Sequence, residues 1–407
     1  MKKRTGAGKA GGEAVGGSWE FYRVMSEPGA WMHEVARGVL DLAERRGGAA
    51  AVEVEPLSRT RGLSYEGCLG VVTPLWGDHL RTVSKGKFPI INISNSAGPQ
   101  KGCGNVLSDD PAVGKMAADY LRGRGYRYFM VIMQEQGTVH RERAEAFESE
   151  LGAAGLPVKR FAHHFQSRRA GGWSRTQFQE EIAEVLVPAF EGMEMSTGIF
   201  ATTDLLANLV LKVLDSRFPE HRSTVGVLGV DNQQTGWYPG RLPGLSSIVP
   251  GFHEMGRRAM EWLFQHPGKS GCGEVAESLN VRVPPLRVVS RASTACGGCA
   301  DPLTARMIRW AWERVQRGEA MSVAEMARAH SMSVKTLERK FGEHAGTTAV
   351  GLVAGLKLDL ARHLLKETET PITEISERCG FSKHDVLSRA LLKAEGCSPR
   401  EFRQRHR

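Results

Sequence analysis

SVAEMARAHSMSVKTLERKF (Ser322–Phe341) and ITEISERCGFSKHDVLSRALL (Ile372–Leu392) share one pattern: a short amphipathic helix, a tight turn and a second helix. In the first stretch, Ser322 and Glu325 have the Ser/Thr-x-x-Glu spacing of a capping box. Ser333 stands where an N-cap should open the second helix, and Ser382 takes that place in the other copy. Val323, Met326, Ala327, Val334, Leu337 and Phe341 can form one packed face, as can Ile372, Ile375, Val386 and Leu387. The pattern predicts a helix-turn-helix, repeated after about 50 residues, with one long helix (roughly Thr347–Leu365) joining the copies.

In a helix-turn-helix, the second helix presents its N-terminal side chains to base edges in a DNA major groove. The candidate contacts to double-stranded DNA are Lys335, Thr336, Arg339 and Lys340 in the first copy, with Glu338 on the same face. In the second copy they are Lys383, His384, Ser388 and Arg389, with Asp385 among them. An arginine can grip guanine with two parallel hydrogen bonds, while lysine and serine mostly hold phosphates.

Charge agrees with this reading. The 407 residues hold 54 Lys plus Arg and 45 Asp plus Glu, a net +9. Residues 301–407 carry 19 basic and 14 acidic side chains, and residues 1–18 a surplus of +3, so 19–300 is close to neutral. A neutral body with a basic C-terminal segment suits a polyanionic partner at that end. No apolar run reaches the ~18 residues a membrane span needs. The basic N-terminus has no apolar core after it, so the expectation is no secretory signal, no membrane and a cytoplasmic protein. Seven scattered cysteines suit a reducing compartment. The lone CxxC, Cys296 and Cys299, has no second pair and no suitably spaced histidine, so it reads as two free thiols rather than a zinc site.

Upstream, short apolar runs alternate with amphipathic stretches. The strand candidates are 70–74, 89–94, 128–132, 198–201 and 225–231. The helix candidates are 33–45, 113–122, 141–151, 177–186, 204–215 and 252–264. This alternation predicts βαβ units and a parallel sheet covered on both faces, and its length favours two α/β lobes. The expected organisation is a disordered tail over 1–18, a two-lobed ligand-sensing domain over 19–290, a small polar linker over 291–302 and an all-α DNA-binding domain over 303–407.

The last hundred residues resemble the AraC-type double helix-turn-helix domain. The most specific part is Ala361–Leu365, Ile372–Ile375, Cys379-Gly-Phe-Ser382 and Gly396-Cys-Ser-Pro-Arg-Glu-Phe-Arg403. The resemblance implies two recognition helices in successive major grooves. Ala349 stands where the family usually has proline, Lys357 where it has arginine, and Leu387 and Leu391 where it has aromatic residues. The body resembles the periplasmic-binding-protein-like core of LacI/GalR regulators at Pro89–Ser94, Asp109–Leu121, Arg143–Phe147, Gly198–Ala207 and Val227–Asn232. The two modules in this order are similar to regulators of the XylR type.

That resemblance implies a transcription regulator controlled by a small effector, a pentose or related sugar, bound between the lobes. It places ligand contacts at Arg143 and Asp231, and it implies a homodimer and contact with RNA polymerase. The residues themselves suit a polyol: a carboxylate accepts from hydroxyls and a guanidinium fork donates to them. Arg143, Asp204 and Asp231 fall at strand ends or a helix start, although Asp204 could simply cap its helix. Trp31, Trp76, Trp173 and Trp237 are candidates to stack on a sugar face. His163-His164 lacks a matching carboxylate motif and reads as surface. No motif supports catalysis or a cofactor, so the expectation is not an enzyme. Two other classes fit less well: a sugar-metabolising enzyme with an appended DNA module, and a ligand-independent DNA-binding protein whose lobes serve only dimerisation.

Overall fold

The computed structural model describes residues 20–26, 30–46, 51–57, 63–75, 88–163, 184–233, 244–268, 272, 274–317, 319, 321–345 and 347–405. These residues form two compact units. The first comprises residues up to Ser94, Pro99–Leu107 and Phe252–Val281; the second comprises Asn95–Gly98, Ser108–Gly251 and Arg282–Arg407.

The first unit holds a six-stranded sheet. Its strands are β1 (Phe21–Ser26), β2 (Ala51–Pro56), β3 (Cys68–Thr73), β4 (Ile90–Asn92), β5 (Gly104–Ser108) and β11 (Asn280–Val283), in the order β11-β5-β4-β3-β1-β2. The pairs from β2 through β5 are parallel. Helices α1 (Ala30–Arg45) and α6 (Phe252–Gln265) pack on each other here. Trp31 packs on Phe252, with ring centroids 5.7 Å apart.

The second unit repeats the plan. Its strands are β6 (Tyr128–Gln134), β7 (Val158–His163), β8 (Thr197–Ala201), β9 (Gly226–Val230), β10 (Ser246–Val249) and β12 (Arg287–Val289), in the order β12-β10-β9-β8-β6-β7. All pairs are parallel except β10 with β12. β8 and β9 are buried along their whole length, as strands covered by helices on both faces must be. The covering helices are α2 (Asp110–Gly123), α3 (Thr138–Ala153), α4 (184–190) and α5 (Asp204–Arg217). Strand order reverses between β6 and β8, the switch point beside which open α/β sheets bind ligands at their carboxyl ends.

The rest of the second unit is helical: α8 (Pro302–Gln316), α9 (Val323–Ala329), α10 (Val334–His344), α11 (Ala349–Glu367), α12 (Ile372–Arg378), α13 (His384–Glu395) and α14 (Pro399–Arg405). A four-residue helix, α7 (Glu274–Glu277), precedes β11. The architecture is a two-sheet α/β core followed by a helical segment, as the alternation and the helical periods predict. The segment between sheet and helices is small and polar in composition, yet it is packed rather than loose. Ala292–Cys296 and Cys299 are buried, and Arg124 Nη2 donates to the carbonyls of Thr294 and Ala295 at 2.8 and 3.1 Å. Burial pushes the Cys299 thiol up to about 11, so it stays a protonated thiol.

No helix among the described residues is long and apolar enough to cross a membrane. The expectations for 1–18, Trp76, Trp173, Trp237, His164 and the first part of the 177–186 helix fall outside the described residues.

Candidate functional site

Two sets of polar side chains stand out in the second unit. The first gathers at the carboxyl ends of β6, β8 and β9. Asp109 caps α2 by accepting from Ala112 N at 3.0 Å, which leaves Asp110 as a wholly buried carboxylate on the first turn. Arg143 on α3 is 3% exposed and donates from Nε to Asp110 Oδ1 at 2.7 Å and from Nη1 to the Thr202 carbonyl at 2.7 Å. Asp231, at the end of β9, lies 3.8 Å from the same guanidinium. The approach of α2 to α3 depends on Gly114, where a Cβ would sit 2.2 Å from the Arg143 carbonyl oxygen.

Asp204 opens α5 but does not cap it: Thr203 does, accepting from Leu206 N. The Asp204 carboxylate turns to the sheet instead, taking hydrogen bonds from Ser247 Oγ at 2.6 Å and Gln233 N at 2.8 Å. Gly229 makes room for it, since a Cβ there would lie 2.2 Å from Asp204 Oδ1. The structure therefore brings Arg143, Asp204 and Asp231 into one cluster.

Three further members were not singled out from the sequence. Asn95 Nδ2 donates to Asp110 Oδ2 and to Glu142 Oε2, each at 2.8 Å, while its own Oδ1 is buried without a partner among the described residues. Asp110 is the second. His140, one turn before Arg143 on the same face of α3, bonds Thr202 Oγ1 at 2.8 Å. Burial and then the Arg143 charge push its imidazole down to about 3, so it is neutral. The helix spacing of His140 and Arg143 is the one signal that could have found it; the others depend on contacts across 33 and 15 residues.

The electrostatics are those of carboxylates buried close to one another. Burial, then the Asp231 charge, raises the Asp204 carboxyl to about 8, against the donors Ser247 and Gln233. Burial raises Asp231 to about 7, with Arg143 opposing and Asp110 adding to the rise. Asp231 adopts φ +103°, a left-handed backbone that non-glycine residues rarely take and that clusters at functional sites. Above the usual carboxylate range the folded chain holds protons here that an unfolded chain has released. The two groups thus add stability at low pH that fades as pH climbs through about 7 and 8.

The second set lies on α10 and α13. The capping box at Ser322 and Glu325 forms both of its bonds, and Ser333 caps α10 through Thr336 N at 3.1 Å. Leu337 and Phe341 are buried beneath, leaving Lys335 and Arg339 exposed and Thr336 half-buried. Arg339 is 62% exposed and paired with Glu343 at 2.9 Å. Lys340 departs from the expected exposed face: it is 21% exposed and turned to Asp301 at 3.5 Å. In the second copy the cap is Lys383, with no side-chain bond, and Ser382 lies one residue outside. Lys383, His384 and Arg389 are exposed and Ser388 is half-buried over Leu387 and Leu391. His384 Nε2 meets Asp385 at 2.9 Å.

The sequence departures find roles. Ala349 N donates to Glu338 Oε2 at 3.2 Å, a bond a proline could not make. Lys357 Nζ donates to the Gly380 carbonyl at 2.7 Å and ties α11 to the turn of the second copy.

Comparison with known proteins agrees with both halves. Residues 118–294 match the periplasmic binding protein-like domain and residues 326–405 match the helix-turn-helix domain. The xylose operon regulatory protein of Escherichia coli (strain K12) is 30% identical over 207 residues, 51% of each chain, so this match spans about half the length of that relative. The protein of the same name from Haemophilus influenzae is 25% identical over 306 residues, 73% of this chain and 74% of that one. The structure of the xylose-binding transcription activator XylR superimposes with a TM-score of 0.65 at 22% identity, covering 95% of this chain and 98% of that one. At that identity the likeness concerns the fold.

Proposed function

From a chain that joins a periplasmic-binding-protein-like domain to an AraC-type helix-turn-helix domain, in the layout of XylR-type regulators, we propose a sequence-specific DNA-binding transcription regulator whose effector is a small polyol, a pentose or related sugar. The observation that carries the reading is the pair of helix-turn-helix units at the two ends of α11, the first of them with both helices capped by serine side chains. That helix has 19 residues and is about 28 Å long at 1.5 Å per residue. Major grooves on one face of a duplex repeat at about 34 Å, so the spacing suits two recognition helices on one promoter site. The DNA contacts are Lys335, Thr336, Arg339, Lys383, His384, Ser388 and Arg389. Lys340 joins them only if its contact with Asp301 opens.

The expected test is operator binding. Arg339→Ala and Arg389→Ala should each weaken it by about 1–3 kcal/mol and relax the preference at one base pair. Loss of equal size on random DNA would assign the residue to phosphate instead.

The effector contacts are Arg143, Asp204 and Asp231, with Asn95. Asp231 and Asn95 Oδ1 are acceptors that vicinal hydroxyls would satisfy, and Arg143 supplies the donors. The relative described as xylose-binding supports a sugar and activation as the output. A homodimer and contact with RNA polymerase belong to the same proposal. Hydroxyl donors favour ionised Asp231, so sugar affinity should tighten as pH rises through about 7, by at most tenfold per unit for one proton. Calorimetric titration with a pentose panel reads this directly. Asp231→Asn should lose both the sugar response and its pH dependence, and a normal response in that variant would move the site elsewhere.

A further inference from the structure

One side chain of the second unit joins the Asp204–Asp231 cluster to the segment that leads into the terminal helices. Neighbouring residues of a strand face opposite sides of its sheet, and on β10 this separates two serines. Ser247 Oγ donates to Asp204 Oδ1 at 2.6 Å and accepts from Asn232 N at 2.9 Å, so it belongs to the cluster. Ser246 Oγ accepts from Arg291 N at 2.7 Å and meets Thr294 Oγ1 at 2.6 Å, so it belongs to the passage that runs on to α8. Arg291 reaches back from the second group to the first. Its Nη1 donates to the Leu245 carbonyl at 2.7 Å and its Nη2 to Asn232 Oδ1 at 2.6 Å. Its charge also acts on Asp204, against the rise that burial causes.

The far end of this bridge is a strained turn. Asp231 has φ +103° and Asn232 φ +45°, two successive left-handed residues that are not glycine. Such backbone persists only where its surroundings over-determine it. Here Asn232 is held through N by Ser247 and through Oδ1 by Arg291, and Gln233 N donates to Asp204 Oδ2 at 2.8 Å. A ligand that engages Asp231 therefore acts on backbone poised to rearrange, and a change there alters what Arg291 can hold. The near end is stiff. Ala292–Cys296 is buried, and Ser246 Oγ holds the Arg291 backbone at both its N–H and its carbonyl.

Resting on the function proposed above, we propose that Arg291, through Asn232, couples effector occupancy to operator affinity. It is a positioning residue: it acts on the Asp231–Asn232 turn rather than on sugar or DNA. Coupling of this kind is reciprocal, so the sugar changes operator affinity by the factor by which the operator changes sugar affinity.

That factor is read on the full chain by fluorescence anisotropy, using a promoter duplex that the protein selects from random sequence. It is measured with and without saturating D-xylose, D-ribose or L-arabinose, and calorimetry without DNA gives the sugar affinity of each variant. The parent should show a factor of about 5–150. Arg291→Gln and Asn232→Gly should each bring it below about twofold, while sugar affinity stays within about threefold and operator binding is retained. Glycine takes a left-handed backbone without strain, so Asn232→Gly removes the amide and leaves the turn. The double variant should lose no more than either single one, as for two residues of one contact. Asn232→Asp keeps an acceptor on a residue that tolerates this backbone, and should keep the coupling. The proposal fails if Asn232→Gly couples as strongly as the parent, if both variants lose sugar affinity along with coupling, or if the parent binds a sugar that leaves operator affinity unchanged. A parent that binds none of the three sugars overturns the effector assignment itself, which is a different result.

Discussion

Arg143→Ala is expected to lower the unfolding free energy by about 3–5 kcal/mol, because truncating one side of a buried ion pair leaves the other charge uncompensated. Asp110 is wholly buried and, among the described residues, would keep its bond from Asn95. The Thr202 carbonyl would lose its guanidinium donor as well. Urea unfolding should show an earlier midpoint with an unchanged slope. On the proposed function the variant should also lose the sugar response, since Arg143 is the charge that opposes the rise of Asp231. Arg143→Lys separates the two effects: a lysine restores charge but cannot serve Asp110 and Thr202 together through a planar fork. A variant as stable as the parent would show that the cluster contributes nothing to folding.

Phe341→Ala should cost a similar amount, about 3–5 kcal/mol, as the usual result of emptying a fully buried phenylalanine site. Phe341 is 0% exposed and belongs to the core shared by Met326, Ala327 and Leu337. It anchors α10 from below, so on the proposed function operator affinity should fall together with the melting temperature. Arg339→Ala offers the contrast. Its exposed ion pair with Glu343 is worth little, so DNA binding should drop with stability nearly unchanged. Equal melting of the parent and Phe341→Ala would mean that the helix pair is held by other contacts.

What the sequence revealed follows from how local each signal is. The capping box at Ser322 and the cap at Ser333 are decided within four residues, and both were legible. The second copy was displaced by one position because Lys383, at φ −154°, adopts the extended cap geometry that Ser382 was expected to hold. Fully buried strands such as β8 and β9 announce themselves as apolar runs. The edge strands β2 (AVEVEP) and β7 (VKRFAH) carry charges on exposed positions and gave no such run. Arg143, Asp204 and Asp231 could be placed at element ends, but their partner Asp110 could not, because pairing across 33 residues is a property of the packed helices. The contact of Lys340 with Asp301 escapes the sequence for the same reason: a helical wheel shows its face, while Asp301 arrives from 39 positions upstream.

The buried passage from Ala292 to Cys296 ties the sheet to the helices that follow. Ser246 Oγ on β10 meets Thr294 Oγ1 at 2.6 Å and also accepts from Arg291 N, and Ser293 Oγ bonds both Ser246 N and the Val227 carbonyl. The terminal helices are thus bolted to the same strands that carry the polar cluster rather than hung from a slack tether. A shift in β9 or β10 would be delivered to α8 as through a rigid shaft.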